Sequence, residues 1–257
     1  MIKAVFFDID GTLIPHGQQN MPKSTLMALE QLKQKGIKVF IATGRPVTTI
    51  THALSQFDFD GYLALNGQYC YINGQVVRDC YIAKEDIAQV IPYLQKNKIS
   101  CIFAEKDYVY VNLRSQQYLD FHRGIEDQMN VIDDVCRHQT HHTYQLMVFI
   151  SENEEKEFFK HLPNCKSARW HPMFADVIPQ QGGKDQGIKA MAQYLNISHE
   201  EVMAFGDGGN DIDMLKCAGI GVAMGNGSVQ VKANADYVTS AVDSDGIALA
   251  LKHFKII

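Results

Sequence analysis

The sequence predicts an α/β protein built on a parallel sheet, with a separate α+β segment inserted into it. Three observations predict this. Both ends of the chain alternate short apolar runs, rich in β-branched residues, with amphipathic helical segments; that pattern suits a parallel sheet covered on both faces. The middle of the chain changes to runs that read as antiparallel strands around a turn signal. A length of 257 residues with 46% hydrophobic content is enough for one large domain or two modest ones.

In chain order, a strand is expected at 2–8, then a helix over "STLMALEQLKQKG" with Leu26, Leu29 and Leu32 on one face and Gly36 as its stop. "IKVFIAT" at 37–43 is the next strand, a helix follows Pro46, and "GYLALN" at 61–66 is a third strand. "YCYINGQVVRDCYI" carries Asn73-Gly74 between alternating runs, which is a hairpin signal. "SCIFAEKDYVYVN" and "TYQLMVFIS" read as further antiparallel strands, and helices near 84–97 and 152–161 punctuate the strands of this middle region. The first pattern returns with a helix at 184–195, strands at 202–207 and 219–225, and helices over 210–217 and 245–253. The expected organisation is a core of residues 1–79 and 183–257 interrupted by an α+β domain at 80–182.

The charge balance, 24 basic against 29 acidic residues and a net charge of -5, gives no basic face for nucleic acid. No run approaches the ~20 apolar residues a membrane span needs, and "MIKAVFFDID" places carboxylates where a signal peptide would continue apolar. Six scattered cysteines without CxxC or zinc spacing read as reduced thiols. The expectation is a cytoplasmic protein with no nucleic-acid or membrane partner and an undetermined oligomeric state, for which a monomer is adequate.

The chemistry is concentrated at strand ends. "VFFDIDGTL" runs an apolar strand into Asp8 and Asp10, which at a spacing of two start on one face. They lie at the C-terminal end of a parallel strand, where ligands bind. Two such carboxylates repel unless a cation or a proton intervenes. "GDGGND" adds Asp207 at another strand end and Asp211 one helical turn later, able to orient Asp207 or reach the same ion. Four carboxylates make an all-oxygen site suited to Mg²⁺. "ATGR" offers the Thr43 hydroxyl and the Gly44 amide to an oxyanion, and Lys184 in "QGGKDQG" offers a cation for phosphate or for a neighbouring carboxylate. Singly these residues also suit turns and helix caps.

Together, DxDGT at 8–12, Thr43 in ATGR, Lys184 and GDGGND at 206–211 resemble the motifs of the haloacid dehalogenase-like (HAD) phosphatase superfamily. With ATGRP, GDGGNDIDML and the position of the insert, the chain is similar to the Cof-type branch with its type IIB cap. The resemblance implies a Rossmann-like parallel-sheet core, an inserted α+β cap that selects substrate, and hydrolysis of small phosphorylated metabolites, many of them sugar phosphates. It implies that Asp8 is the nucleophile forming an aspartyl-phosphate, and that Asp10 is the general acid and then base. It also implies Mg²⁺ held by Asp8, the Asp10 backbone carbonyl and Asp207, with Asp211 bound directly or behind them. Thr43, Gly44, Lys184 and Asn210 would hold the phosphoryl oxygens.

Leaving-group candidates are Arg45 and Asn66 at strand ends, and Arg169 and Asp176 within "ARWHPMFADVIP", where Trp170 suits either a sugar platform or the cap core. "GIGVAMGNG" lacks dinucleotide-loop spacing and reads as a glycine-rich turn behind the sheet. Two other functions compete. A sugar phosphomutase uses the same intermediate, and a phospho-accepting regulatory module also uses strand-end aspartates, although such modules are shorter and lack a carboxylate two residues after the phosphorylated one.

Overall fold

The structure, a computed structural model, describes residues 1–123 and 129–257. The chain folds into two compact units, one of residues 1–45, 49–79 and 183–257, the other of residues 46–48 and 80–182. The first unit begins with β1 (Ala4–Phe7), α1 (Lys23–Gln34), β2 (Lys38–Ala42), α2 (Thr51–Gln56) and β3 (Gly61–Ala64), followed by β4 (Tyr69–Ile72) and β5 (Gln75–Asp79). In α1 the buried face is Thr25, Ala28, Leu29 and Leu32, while Leu26, expected on that face, is half-buried. Gly36 ends this helix in the left-handed region at φ 74°, where an L side chain would be strained. At the other turn signal, Asn73 and Gly74 take φ 48° and 82° while Ile72 pairs with Gln75, the two-residue hairpin that Asn-Gly favours.

The second unit contains α3 (Lys84–Asn97), β6 (Cys101–Glu105), β7 (Val109–Val111), α4 (Gln116–Arg123), β8 (Val131–Ile132), β9 (Thr143–Val148), α5 (Glu152–Phe158), β10 (Cys165–Ser167) and β11 (Ala175–Pro179). Its sheet runs β10-β11-β9-β6-β7-β8 and is antiparallel except for the last pair. Alternation along these strands divides their side chains between two apolar layers. Ile87, Val90 and Leu94 of α3 and Phe158 of α5 pack with Phe103, Tyr110, Leu146 and Val148. Tyr118 of α4 packs with Ile102, Val111, Phe149 and Phe174.

The chain then returns to the first unit with α6 (Lys184–Leu195), β12 (Val202–Gly206), α7 (Ile212–Cys217), β13 (Ile220–Ala223), α8 (Val229–Lys232), β14 (Tyr237–Val238) and α9 (Gly246–His253). Among the described residues its sheet has eight strands in the order β14-β13-β12-β1-β2-β3-β4-β5, parallel from β14 through β3 and antiparallel beyond. β1 lies at its centre, buried on both faces. Phe6 stacks on Phe40 with ring centroids 4.8 Å apart and packs with residues of α6 and α7, while Phe7 stacks on Phe205 at 4.9 Å. Because these strands are parallel, the residues after β1, β2, β3, β12 and β13 all emerge at one edge of the sheet.

Candidate functional site

The edge at the C-terminal ends of those strands gathers the acidic residues. Asp8 directly follows β1, is 7% exposed, and accepts a hydrogen bond from Lys184 Nζ at 2.6 Å. Lys184 opens α6, and its fully buried ammonium also donates to Asp211 Oδ1 at 2.5 Å. Asp211 in turn accepts from the backbone amides of Asp207 and Gly208 through Oδ2, at 3.0 and 2.9 Å. A buried cation thus bridges two carboxylates, one of which fixes the turn that carries Asp207.

The local backbone makes this convergence possible. Leu65, Asn66 and Gly67 follow β3 at φ 55°, 55° and 79°, a left-handed turn that presses Gly67 against the N-terminus of α6. A Cβ on Gly67 would lie 2.5 Å from the Gly183 carbonyl oxygen. Gly11, at φ 84°, has the same function beside the acidic group, where a Cβ would collide with the Asp207 carboxylate and the His16 ring.

Asp8, Asp207 and Asp211 each present a carboxylate oxygen within 4.8 Å of the others. Burial pushes the Asp8 carboxyl well above its ordinary pKa; Lys184 pulls it down, and Asp211, Asp207 and Asp10 push it up. Burial likewise raises Asp211 against the pull of Lys184. For Lys184, burial opposes the charge, but the two carboxylates outweigh it and raise the ammonium's pKa. Four carboxylates face one lysine, one arginine and the His16 imidazole here, so the site is short of positive charge. An all-oxygen donor set with that deficit fits a hard divalent cation.

Asp10 diverges from Asp8. Its side chain is 41% exposed, and it is held by Arg45, which donates from Nε at 2.8 Å and Nη2 at 2.5 Å in a forked pair. Arg45, a leaving-group candidate by its position at a strand end, is paired here with a carboxylate 35 residues away. Thr43 is buried at the end of β2, and its Oγ1 accepts from the Arg45 amide at 3.1 Å. Asn66 Oδ1 accepts from Asn210 Nδ2 at 2.9 Å, joining the loops after β3 and β12. Gly44 lies between Thr43 and Arg45 in the same loop.

In the second unit, Arg169 donates to Glu155 at 2.5 Å and to the carbonyls of Ile150, His171 and Pro172 at 2.9, 2.9 and 3.1 Å. It therefore clasps its own loop. Asp176 is buried and accepts from Trp170 Nε1 at 3.1 Å, which fixes an indole that stays 43% exposed and meets Phe174 edge-on.

Three residues at this edge were not read from the sequence. Thr12 Oγ1 donates to Asp207 Oδ1 at 2.9 Å, and His16 Nε2 lies 3.5 Å from Asp207 Oδ2, a contact that raises the imidazole pKa. Asn226 Nδ2 donates to the Gly11 carbonyl at 2.8 Å and to Asp207 Oδ2 at 3.3 Å. Asn226 lies in the glycine-rich turn expected behind the sheet. That expectation is corrected: β13 runs parallel to β12, so the turn after it reaches the same edge as Asp207. The strand-end rule could have found it.

The family model of haloacid dehalogenase-like hydrolases matches residues 5–251. The structure superposes on the sugar phosphatase BT4131, a subclass IIB HAD enzyme, with TM-score 0.91 and 39% identity over 99% of this chain and 100% of that one. On the HAD phosphatase BT1666 from Bacteroides thetaiotaomicron the TM-score is 0.94, with 35% identity over 100% and 96% of the two chains. YkrA of Bacillus subtilis strain 168, provisionally named a phosphatase, is 32% identical over 99% of this chain and 98% of its own.

Proposed function

Because the chain belongs to the haloacid dehalogenase-like hydrolases and is a phosphatase, we propose that it hydrolyses small phosphorylated metabolites, sugar phosphates foremost, through an aspartyl-phosphate with Mg²⁺ as cofactor. One observation supports this reading above all. A buried Asp8 is held by a buried Lys184 beside Asp207 and Asp211, while Asp10, two residues on, stays half-exposed on Arg45.

Asp8 attacks phosphorus in line; the bond to the leaving oxygen breaks as the Asp8–phosphorus bond forms, and Asp10 gives that oxygen its proton. Asp10, now a carboxylate, takes a proton from the water that attacks the aspartyl-phosphate, releasing inorganic phosphate and restoring Asp8. Lys184 counters the burial that raises the Asp8 carboxyl and, with the Thr43 hydroxyl, the Gly44 amide and Asn210, binds the transferring oxygens. Asp8, Asp207 and the Asp10 backbone carbonyl would hold Mg²⁺. Asp211, whose two oxygens already serve Lys184 and two amides, orients the loop behind them. Bound Mg²⁺ would supply positive charge against the phosphoryl oxygens.

Residues 80–182 act as the cap that selects the leaving group, with Trp170, braced by Asp176, as the surface offered to a sugar ring and Arg169 holding the loop in shape. Asn66 steadies Asn210, and Arg45 steadies Asp10. The sugar assignment follows the likeness to BT4131. Among the described residues no helix is long and apolar enough to cross a membrane. We place the activity in the cytoplasm, in keeping with six free thiols.

The test is phosphate release from phosphorylated hexoses, pentoses, polyols and nucleotides with Mg²⁺ or EDTA, using Asp8→Asn as the blank. Mg²⁺-dependent release from sugar phosphates that Asp8→Asn abolishes is expected, and Asp10→Asn should accumulate a phosphoenzyme visible by intact mass. Full turnover in Asp8→Asn would overturn the mechanism.

A further inference from the structure

Asn226 uses its whole amide on three separate loops. One hydrogen of Nδ2 goes to the Gly11 carbonyl at 2.8 Å, in the turn after Asp8 and Asp10. The other goes to Asp207 Oδ2 at 3.3 Å, at the end of β12. Oδ1 accepts from the amide of Val242 at 2.9 Å, in the segment between β14 and α9. One side chain therefore ties the two carboxylate-bearing loops to each other and anchors both to a third.

The backbone around it serves the same contact. Gly227 follows, and a Cβ there would sit 3.2 Å from the Asp207 carbonyl oxygen and 3.3 Å from its Cα, so the turn lies directly against Asp207. The Gly227 amide closes that turn on the Met224 carbonyl at 2.9 Å. On the opposite oxygen of Asp207, Thr12 donates at 2.9 Å. The Asp207 carboxylate is thus gripped from both sides, by residues outside the acidic group itself.

We infer that Asn226 is a positioning residue for the metal site: it fixes the distance between the Asp8 loop and Asp207 so that their oxygens are presented to one cation. The inference rests on the Mg²⁺ reading above and adds to it a residue that contacts neither phosphate nor nucleophile. Groups hydrogen-bonded behind metal-binding carboxylates typically change metal affinity or activity by about 10–100-fold when removed.

The test is calorimetric titration of Mg²⁺ into the substrate-free full-length protein, comparing wild type with Asn226→Ala and with Asn226→Ser, the smaller polar change that serves if the alanine variant does not fold. Unfolding midpoints in EDTA and the Mg²⁺ dependence of phosphate release are measured alongside. Expected is about tenfold weaker Mg²⁺ binding, with turnover largely recovered at saturating Mg²⁺ and the EDTA midpoint little changed. A folded variant that binds Mg²⁺ as wild type does would overturn this inference and leave the metal reading standing. A wild-type protein that takes up no Mg²⁺ would overturn both.

Discussion

Replacing Lys184 with Met should destabilise the metal-free protein more than most single substitutions, and the structure sets the size. The ammonium is wholly buried and lies 2.6 Å from Asp8 and 2.5 Å from Asp211. At an effective dielectric near 20, two unit charges about 4 Å apart interact by about 4 kcal/mol. The variant loses two such attractions and keeps the repulsion between the carboxylates. Protonation of one carboxylate caps the loss, and removing one partner of a buried ion pair typically costs about 3–5 kcal/mol. For a chain of this size that corresponds to a fall in unfolding midpoint of about 6–20 °C.

The loss has a direction in pH. Without Lys184 the Asp8 carboxyl, already raised by burial, rises further. A carboxyl whose folded pKa exceeds its unfolded one favours the fold in acid and loses that stability as pH rises through the folded value. The deficit of Lys184→Met should therefore be smaller near about pH 5 than near about pH 7.5. Thermal unfolding by circular dichroism in EDTA measures it, with Lys184→Met/Asp211→Asn as the second variant. The double variant removes one of the stranded charges and should recover part of the loss. A Lys184→Met protein that melts within about 2 °C of wild type, or a double variant no more stable than the single, would refute the electrostatic account.

Three further outcomes follow from other places in the fold. Wild-type protein should gain more stability from Mg²⁺ near about pH 7.5 than near about pH 5, because the raised carboxyls must lose protons before they bind a cation; equal shifts in unfolding midpoint would contradict this. Tyr110→Phe should stabilise the second unit by about 1 kcal/mol in urea unfolding, since the Tyr110 hydroxyl is buried with no hydrogen-bond partner among the described residues; a loss of similar size would show that the hydroxyl is satisfied. Gly67→Ala should cost at least about 2 kcal/mol and reduce phosphate release. It combines φ 79° with a Cβ 2.5 Å from the Gly183 carbonyl oxygen, and an unchanged urea midpoint would refute the close approach.

What the sequence made legible was local and periodic. The helix expected at 184–195 is Lys184–Leu195, and the one expected near 84–97 is Lys84–Asn97, each with an apolar face long enough to fix its period. Asn73-Gly74 announced its hairpin because its backbone needs are specific. The Gln116–Arg123 helix was not read: at eight residues it is two turns long, too short for Tyr118, Leu119 and Phe121 to fix a helical period in the sequence. Strand-end carboxylates were visible because an apolar run that stops at Asp is unusual. The partners of those carboxylates were not. Arg45 meets Asp10 across 35 positions and Asn226 meets Gly11 across 215, pairings that only the order of parallel strands creates.

The two aspartates after β1 now separate by environment. Asp8 sits where water is scarce and a buried lysine lies against it, a setting that fixes one oxygen in place and strengthens every charge nearby. Such a group suits in-line attack, which needs a nucleophile that does not wander. Asp10 sits where water reaches it, clasped by an arginine that can hold the carboxylate without burying it. A group that must lose a proton to a leaving oxygen and regain one from water needs that access. If these environments set the roles, the exchange Asp8→Glu should fail although it keeps the carboxylate, because one added methylene moves the oxygen off Lys184. Asp10→Glu should retain a measurable fraction of turnover, because the Arg45 fork can follow a longer side chain. Phosphate release from the two variants under one substrate and one Mg²⁺ concentration compares them directly, and equal activity would mean that burial does not distinguish the two carboxylates.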